Sequence, residues 1–535
     1  MSNSFSATYI PYEGTGYFSK IITDYLSQNN SLQNFYQHPA SLQGIKEAIA
    51  ERKKINTNRK LLAKQLEQQY LSVETSDSVK NNISALMDES TFTICTAHQP
   101  NIFTGHLYFI YKIIHTIKLA DALNRDLPEN KFVPVFYVGS EDADLEELGE
   151  VFINSEKYKW ETKQTGAVGR MLVDDELLKI LKKIKGQLEV EPYGKEIIDL
   201  VQECYTKGRT IQDACFCLVN KLFGDKGLIV LLPDNAELKK QMIPVFEDDI
   251  FDNTPSEIVN KTTENLAESY KVQAQPREIN LFYLKDNARE RIVVHNSKYI
   301  ILNSKLEFTK DELIKELNEH PERFSPNVIL RALYQETILP NLLFVGGGGE
   351  LAYWLELKDM FQQYKVPYPV LVVRNSFLFF NKKTISLIQK LSLSDIDIFK
   401  SESELVTGIV RKNSSHQLSL EREKQQLELI YSGMKISVNE IDATLVKHVE
   451  ALQAKLLKTL DKLEIKLLRA EKRRFEAQQK QVKKIRANLF PNNSLQERVE
   501  NFMPFYAKWG KEFLNVIYDN SLIFEQEFCI IKEEK

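Results

Sequence analysis

Four polar stretches hold the residues best able to do chemistry. The first, TAHQPNIFTGHLYFIYK (residues 96–112), carries His98, Gln99, Asn101, Thr104, Gly105, His106 and Tyr108. Histidine titrates near neutrality, so His98 and His106 suit proton transfer or contact with a phosphate. Thr104 is expected to cap the helix that follows, leaving its first amides free to hold an anion. A structural reading competes: Gln99 and Asn101 satisfy the loop backbone, and the histidines sit half-exposed at a helix cap. The second stretch, GSEDADLEELGE (139–150), offers Ser140, Glu141, Asp142 and Asp144. Acids here complement a helix dipole; alternatively Asp142 or Asp144 binds an amine or Mg²⁺. The third, FVGGGGELAYW (344–354), sets Gly346, Gly347, Gly348 and Gly349 ahead of Tyr353. Four glycines let backbone amides approach a ligand and adopt positive φ. Just upstream, SPNVILRALYQE (325–336) puts Arg331 and Gln335 one helical turn apart, beside Glu336. Arg331 suits a carboxylate or phosphate, or a structural ion pair. The fourth, VVRNSFLFFNKK (372–383), contributes Arg374 and Ser376, with Lys382 and Lys383 beyond.

Several familiar chemistries are excluded. Neither glycine pattern is the dinucleotide fingerprint, which needs three spaced glycines, and the glycine run lacks the lysine of a P-loop. Cys95, His98, His106 and His115 match no common zinc spacing, so no metal site is expected from them.

Each polar stretch follows a short apolar run. TFTICT, KFVPVFYVG, GLIVLLPDN, LLFVGGGG and YPVLVVRNS are flush with apolar residues and alternate with helical patterns. Strands buried on both faces read this way, and strand–helix repetition predicts a parallel, doubly wound α/β sheet. In such a sheet ligands bind beyond the carboxyl ends of the strands, where the four stretches begin. A helical segment of about 90 residues precedes the core, which is expected over 91–385. Insertions at about 151–225 and 235–340 are placed to wall a site, the second with hairpin-like punctuation.

Over 386–535 the character turns helical. Leu445, Val449, Leu452, Leu456, Leu460, Leu463, Leu467 and Ala470 step by three and four, a heptad with a stutter, predicting a coiled coil at about 440–489 before a helix returns to the body. From Lys455 to Arg486 there are 12 Lys/Arg against 4 Asp/Glu. That run reads as a solvated face or as an RNA contact.

The 535 residues are 43% hydrophobic, enough to bury more than one core. A net charge of -4 predicts no general attraction to nucleic acid or anionic membrane. The N-terminus lacks the pattern of a signal peptide, no apolar run approaches a membrane span, and five cysteines without a CxxC argue against a disulfide framework. A cytoplasmic location is expected.

Taken together, these blocks resemble the bacillithiol-biosynthesis cysteine-adding enzymes, the BshC family. The opening loop is similar to that family's TGQQ…LFTGPLY…YK, with Ala97, His98 and His106 as departures. VFYVGSEDADLEEL, FSPNVILRALYQETILPNLLFVGGGGELAYWLELK and SLQERVENF resemble its other blocks in order along the chain. The resemblance implies a Rossmann-like core akin to class I synthetases and nucleotidyltransferases, with connecting insertions and a helical coiled coil that pairs two subunits. Gly105, His106, Leu107 and Tyr108 would stand where those enzymes carry a HIGH motif. The implied reaction is amide formation between cysteine and the amine of glucosaminyl-malate, with ATP and Mg²⁺ as the expected activating species. In that scheme Thr104–His106, Tyr108 and Gly346–Gly349 hold the nucleotide. Asp142 and Asp144 take an amine, with His106 joining them in catalysis, and Arg331 and Arg374 take carboxylates. Gln99, Asn101, Ser140, Glu141, Gln335, Glu336 and Tyr353 complete the substrate contacts. The alternative is a synthetase-like aminoacyl transferase using the basic coiled coil on tRNA.

Overall fold

A computed structural model describes residues 5–285 and 287–534. The chain divides into two compact units. Residues up to Leu378 and Ser494–Ile531 form the first, and Phe379–Asn493 form the body of the second.

All five apolar runs are strands of one parallel sheet. These are β1 (Thr91–His98), β2 (Lys131–Val138), β3 (Ile229–Leu231), β4 (Asn341–Gly346) and β5 (Val370–Val373), in spatial order 5-4-1-2-3. The order reverses between β1 and β4, the switch point at which such sheets open a ligand crevice. Register brings the strand ends level: His98 lies beside Val138, and Gly346 beside Val373. Phe92, Ile94, Phe132, Leu343, Val345, Val370 and Val372 pack against Leu119, Ala120 and Leu123 of helix α1 (Leu107–Asp126) and Ile45, Ala48 and Ile49 of the helix Leu42–Arg52. Fully burying one such side chain is worth roughly 1.5–3 kcal/mol, so the core easily fixes the loops at its edge.

The insertion between β2 and β3 holds a small antiparallel pair (Glu150–Ile153 with Glu156–Lys159) and the helices Asp175–Leu188, Gly194–Cys204 and Ile211–Phe223. Cys204 and Cys217 on the last two helices are joined by a disulfide, a single bridge that the cysteine spacing did not reveal. Between β3 and β4 the hairpin-like segment forms four strands of an antiparallel five-stranded sheet, including Leu281–Lys285 and Ala288–His295, and Phe324–Pro326 completes it. Two helices flank β4: α2 (Val328–Ile338), capped by the Asn327 side chain, precedes it and α3 (Gly348–Trp354) follows it. The chain's opening is not wholly helical, because Phe5–Pro11 is a strand.

The helical region is not one body from residue 386 onward. Ser494–Ile531 belongs with the first unit, where Phe502, Met503, Tyr506, Phe513 and Ile517 are buried. In the second unit the coiled coil begins earlier than expected. Helices Glu421–Ile441 and Val446–Lys472 pack as a hairpin, pinned by Lys424 to Asp461 (2.7 Å) and Glu464 (2.9 Å). The Asp442 carboxylate accepts the Thr444 N–H in the intervening turn, and a 3₁₀ turn at Arg473–Phe475 ends the second helix. Among the described residues no helix is long and apolar enough to cross a membrane.

Candidate active site

A cleft of about 730 Å³ opens at the carboxyl ends of β1, β2, β4 and β5. Its walls include His98, Gln99, His106 and Tyr108 after β1, Gly139, Asp142 and Glu147 after β2, Arg331 and Tyr353 on α2 and α3, Gly347–Glu350 after β4, and Arg374 after β5. The inserted sheet adds Phe282 and Arg289, and the C-terminal return adds Arg498.

Charge defines this space. Four arginines, 289, 331, 374 and 498, face three carboxylates, Asp142, Glu147 and Glu350. The Asp142 carboxylate accepts from Gln99 Nε2 (3.3 Å), lies 3.7 Å from an Arg331 guanidinium nitrogen, and takes the Ala143 N–H at 2.9 Å. Burial works against its charge, but Arg331, Arg289 and these hydrogen bonds outweigh it and hold the carboxyl below its usual range. The Arg289 guanidinium stacks 3.9 Å from the centre of the Phe282 ring and donates through Nε to Ser325 Oγ (3.0 Å). Burial and the neighbouring Arg331 push it down to about 10. Glu350 is drawn into the wall: its carboxylate accepts the Gly347 N–H (2.8 Å) and pairs with buried Lys112 (2.5 Å), which also donates to the Ala97 carbonyl (2.6 Å).

Both histidines are neutral around pH 7. Burial lowers His106, and burial with Lys112, His106 and Arg374 lowers His98 further. His106 Nδ1 lies 2.9 Å from the Val499 carbonyl. A carbonyl only accepts, so Nδ1 carries the hydrogen and Nε2 keeps its lone pair. Arg374 lies over the Tyr108 ring at 5.2 Å and is held by buried Glu497 (2.7 Å), which keeps the guanidinium charged against burial.

Several expected site residues lie elsewhere. Thr104 does not cap α1; it is fully buried with φ 71°, and His106 stands at the cap. The first amide of α1, at Leu107, donates to the Glu500 carbonyl (2.7 Å), so that N–H is not available to an anion. Asn101 is buried against Gly105, whose position leaves no room for a Cβ beside the Asn101 side chain. Ser140 is buried under Gly169. Glu141 points away from the cleft into a buried cluster with Lys239, itself 3.7 Å from Asp234, which Arg170 grips through two bonds (2.7 and 2.8 Å). Asp144 is exposed and caps the short helix Leu145–Leu148. Gln335 and Glu336 are buried at the far end of α2, where Gln335 donates to Glu336 (2.8 Å). None of the four glycines has positive φ. Gly346 is needed for packing, because a Cβ there would meet Leu351 at 2.5 Å, whereas Gly349 faces open space. The run therefore supplies close packing at Gly346 and open space at Gly349 rather than left-handed backbone.

The signature described as the N-terminal Rossmann-like domain of bacillithiol biosynthesis BshC matches residues 5–375, and that of its C-terminal coiled-coil domain matches 377–533. The chain belongs to the BshC family. A relative from Flavobacterium johnsoniae, named "Putative cysteine ligase BshC", is 40% identical over 98% of this chain and 99% of its own. Relatives of the same name from Christiangramia forsetii (37%, 98% of both chains) and Bacillus cereus (25%, 96% and 98%) extend the match. Within this BshC chain, sequence reasoning missed Arg289, Lys112, Glu350, Glu497 and Arg498. Only the SLQERVENF block pointed toward the last two.

Proposed function

We propose that this chain is a cytoplasmic ligase that joins the carboxyl of L-cysteine to the glucosamine amine of glucosaminyl-malate, the last step of bacillithiol biosynthesis. Full-length membership of the family carries the reading, and the arginine-rich cleft around Asp142 supports it. Nucleotide activation makes the cysteine carboxyl an acyl donor with a phosphate-bearing leaving group. The amine then attacks the acyl carbon, the C–O bond to the leaving group breaks with its electron pair, and a proton leaves the nitrogen. Asp142 holds the ammonium or amine, and Arg331 and Arg374 take carboxylates. His106 Nε2 receives the proton, since its lone pair is available at neutral pH. Tyr108 and Gly347–Gly349 face a nucleotide, with Gln99 and Tyr353 as further contacts. Alignment of amine and acyl carbon in one cleft supplies much of the remaining acceleration.

Mg²⁺ would arrive with the nucleotide. Asp142 is engaged by Arg331 and Gln99, and Glu350 by Lys112, so the two are not free together to ligate a resident metal ion. Two copies are proposed to pair through the hairpin of the second unit, which exposes Leu429, Ile430, Ile436, Ile441 and Leu445. The tRNA reading finds no support in the family match and is not carried further.

The test is conversion of glucosaminyl-malate and cysteine, with and without ATP–Mg²⁺, followed by mass spectrometry. Product only with nucleotide is expected. No product under either condition overturns the function, and product without nucleotide overturns the activation step.

A further inference from the structure

The turn leading to His106 holds an unusual backbone. Phe103, Thr104 and Gly105 have φ of 51°, 71° and 64° in succession. Left-handed backbone is uncommon for a β-branched or aromatic residue, so two of the three residues resist it and the turn needs anchors from outside. Those anchors come from sequence-distant segments. Asn501 Nδ2 donates to the Phe103 carbonyl (2.9 Å) and to the Gly105 carbonyl (2.5 Å). The Glu500 carbonyl takes the Leu107 N–H (2.7 Å), and the Tyr205 hydroxyl takes the Phe103 N–H (2.9 Å). Asn501 is itself fixed. Its Oδ1 accepts the Met503 N–H (2.8 Å), its N–H donates to the Phe152 carbonyl (3.0 Å), and it has no solvent exposure. Because Oδ1 is committed to a donor, the amide cannot be turned around, and Nδ2 must face the two carbonyls.

We infer that Asn501 is a positioning residue for the reaction: it fixes the turn at Phe103–Gly105 and, with the adjoining Val499 carbonyl, sets His106 as the Nδ1–H tautomer with Nε2 open to the cleft. The inference rests on the reading of His106 as proton acceptor given under Proposed function. Asn501 touches no substrate; it acts through the two carbonyls that flank Thr104 and through the segment that carries Val499.

Asn501→Asp is the informative substitution. It preserves shape and the acceptor for Met503, but sets a carboxylate oxygen against two carbonyl oxygens. In the full-length protein labelled with ¹⁵N-histidine, the His106 signal is identified by its loss in His106→Asn. The wild-type signal is expected to show protonated Nδ1 and unprotonated Nε2. In Asn501→Asp that signature is lost, and kcat falls about 100-fold, the low end of what a positioned proton acceptor contributes, while KM for cysteine changes less than about threefold. A wild-type His106 protonated at Nε2 overturns the inference even if no Asn501 variant folds. A folded Asn501→Asp protein with wild-type kcat and tautomer, alongside an inactive His106→Asn, overturns the inference and leaves the functional reading standing. A fully active His106→Asn protein overturns the functional reading itself and this inference with it.

Discussion

Removing the carboxylate of Glu497, buried behind Arg374, should cost more stability than removing almost any single side chain that lines the cleft. Glu497 has no exposed surface and Arg374 only 5% of its side chain. The carboxylate accepts from Arg374 (2.7 Å), from Ser376 Oγ (3.2 Å) and from the Phe377 N–H (3.3 Å). In Glu497→Ala the guanidinium stays buried without its counter-charge, a loss of about 3–5 kcal/mol. That is a large share of the roughly 5–15 kcal/mol by which a domain is stable. Glu497→Gln keeps an acceptor for Arg374 but loses the charge, and should cost about 1.5–3 kcal/mol. Replacing both partners with leucine removes the stranded charge, so the double variant should be more stable than Glu497→Ala while remaining inactive. Urea unfolding read by tryptophan fluorescence measures this cleanly. All three tryptophans, Trp160, Trp354 and Trp509, are buried in the first unit, so the signal reports that unit. A Glu497→Ala protein within about 1 kcal/mol of wild type would refute the claim that this pair is a desolvated, mutually dependent one.

Burial raises Glu336 to about 7, against which Arg52, Gln335 and Asn341 act, so the folded carboxyl holds its proton where the unfolded one has lost it. Its contribution to stability is complete below pH ~4.5 and disappears as pH rises through ~7, a swing of about 3 kcal/mol. Glu336→Gln should flatten that part of the stability–pH curve, whereas parallel curves for the two proteins would contradict the assignment. Gly346→Ala should destabilise by about 1–3 kcal/mol through the clash with Leu351, while Gly349→Ala should leave the melting temperature unchanged and raise a substrate KM. Equal melting shifts for the two would sink the distinction. Glu141→Ala, which takes the nearer carboxylate from buried Lys239 and leaves it only Asp234 at 3.7 Å, should lower the melting temperature, and a folded, stable but inactive variant would return Glu141 to the chemistry.

The core was legible because parallel strands buried on both faces leave continuous apolar runs, and all five runs became β1–β5. The side on which a loop residue points was not. Glu141, Asp142 and Asp144 look interchangeable in sequence, yet one is buried with Lys239, one faces the cleft and one caps a helix. Arg289 sits in an inserted hairpin whose pairing, not its composition, brings it to the cleft. Glu497 and Asn501 reach the site across more than a hundred residues of sequence, a distance over which no periodicity carries information. The heptad was visible, but the turn at Asp442–Leu445 that folds it back on a preceding helix was set by a local side-chain bond that the apolar spacing could not show.

The most direct test of the account is kcat/KM for glucosaminyl-malate in Asp142→Asn, with the fold verified by circular dichroism. The variant keeps the shape and the bond to the Ala143 N–H but loses the negative charge that faces Arg331 and Arg289 and, in the proposed reaction, the incoming amine. A fall of at least about 30-fold is expected, the equivalent of losing one charge-assisted contact of about 2 kcal/mol in the transition state. A folded Asp142→Asn protein with wild-type kcat/KM would contradict it.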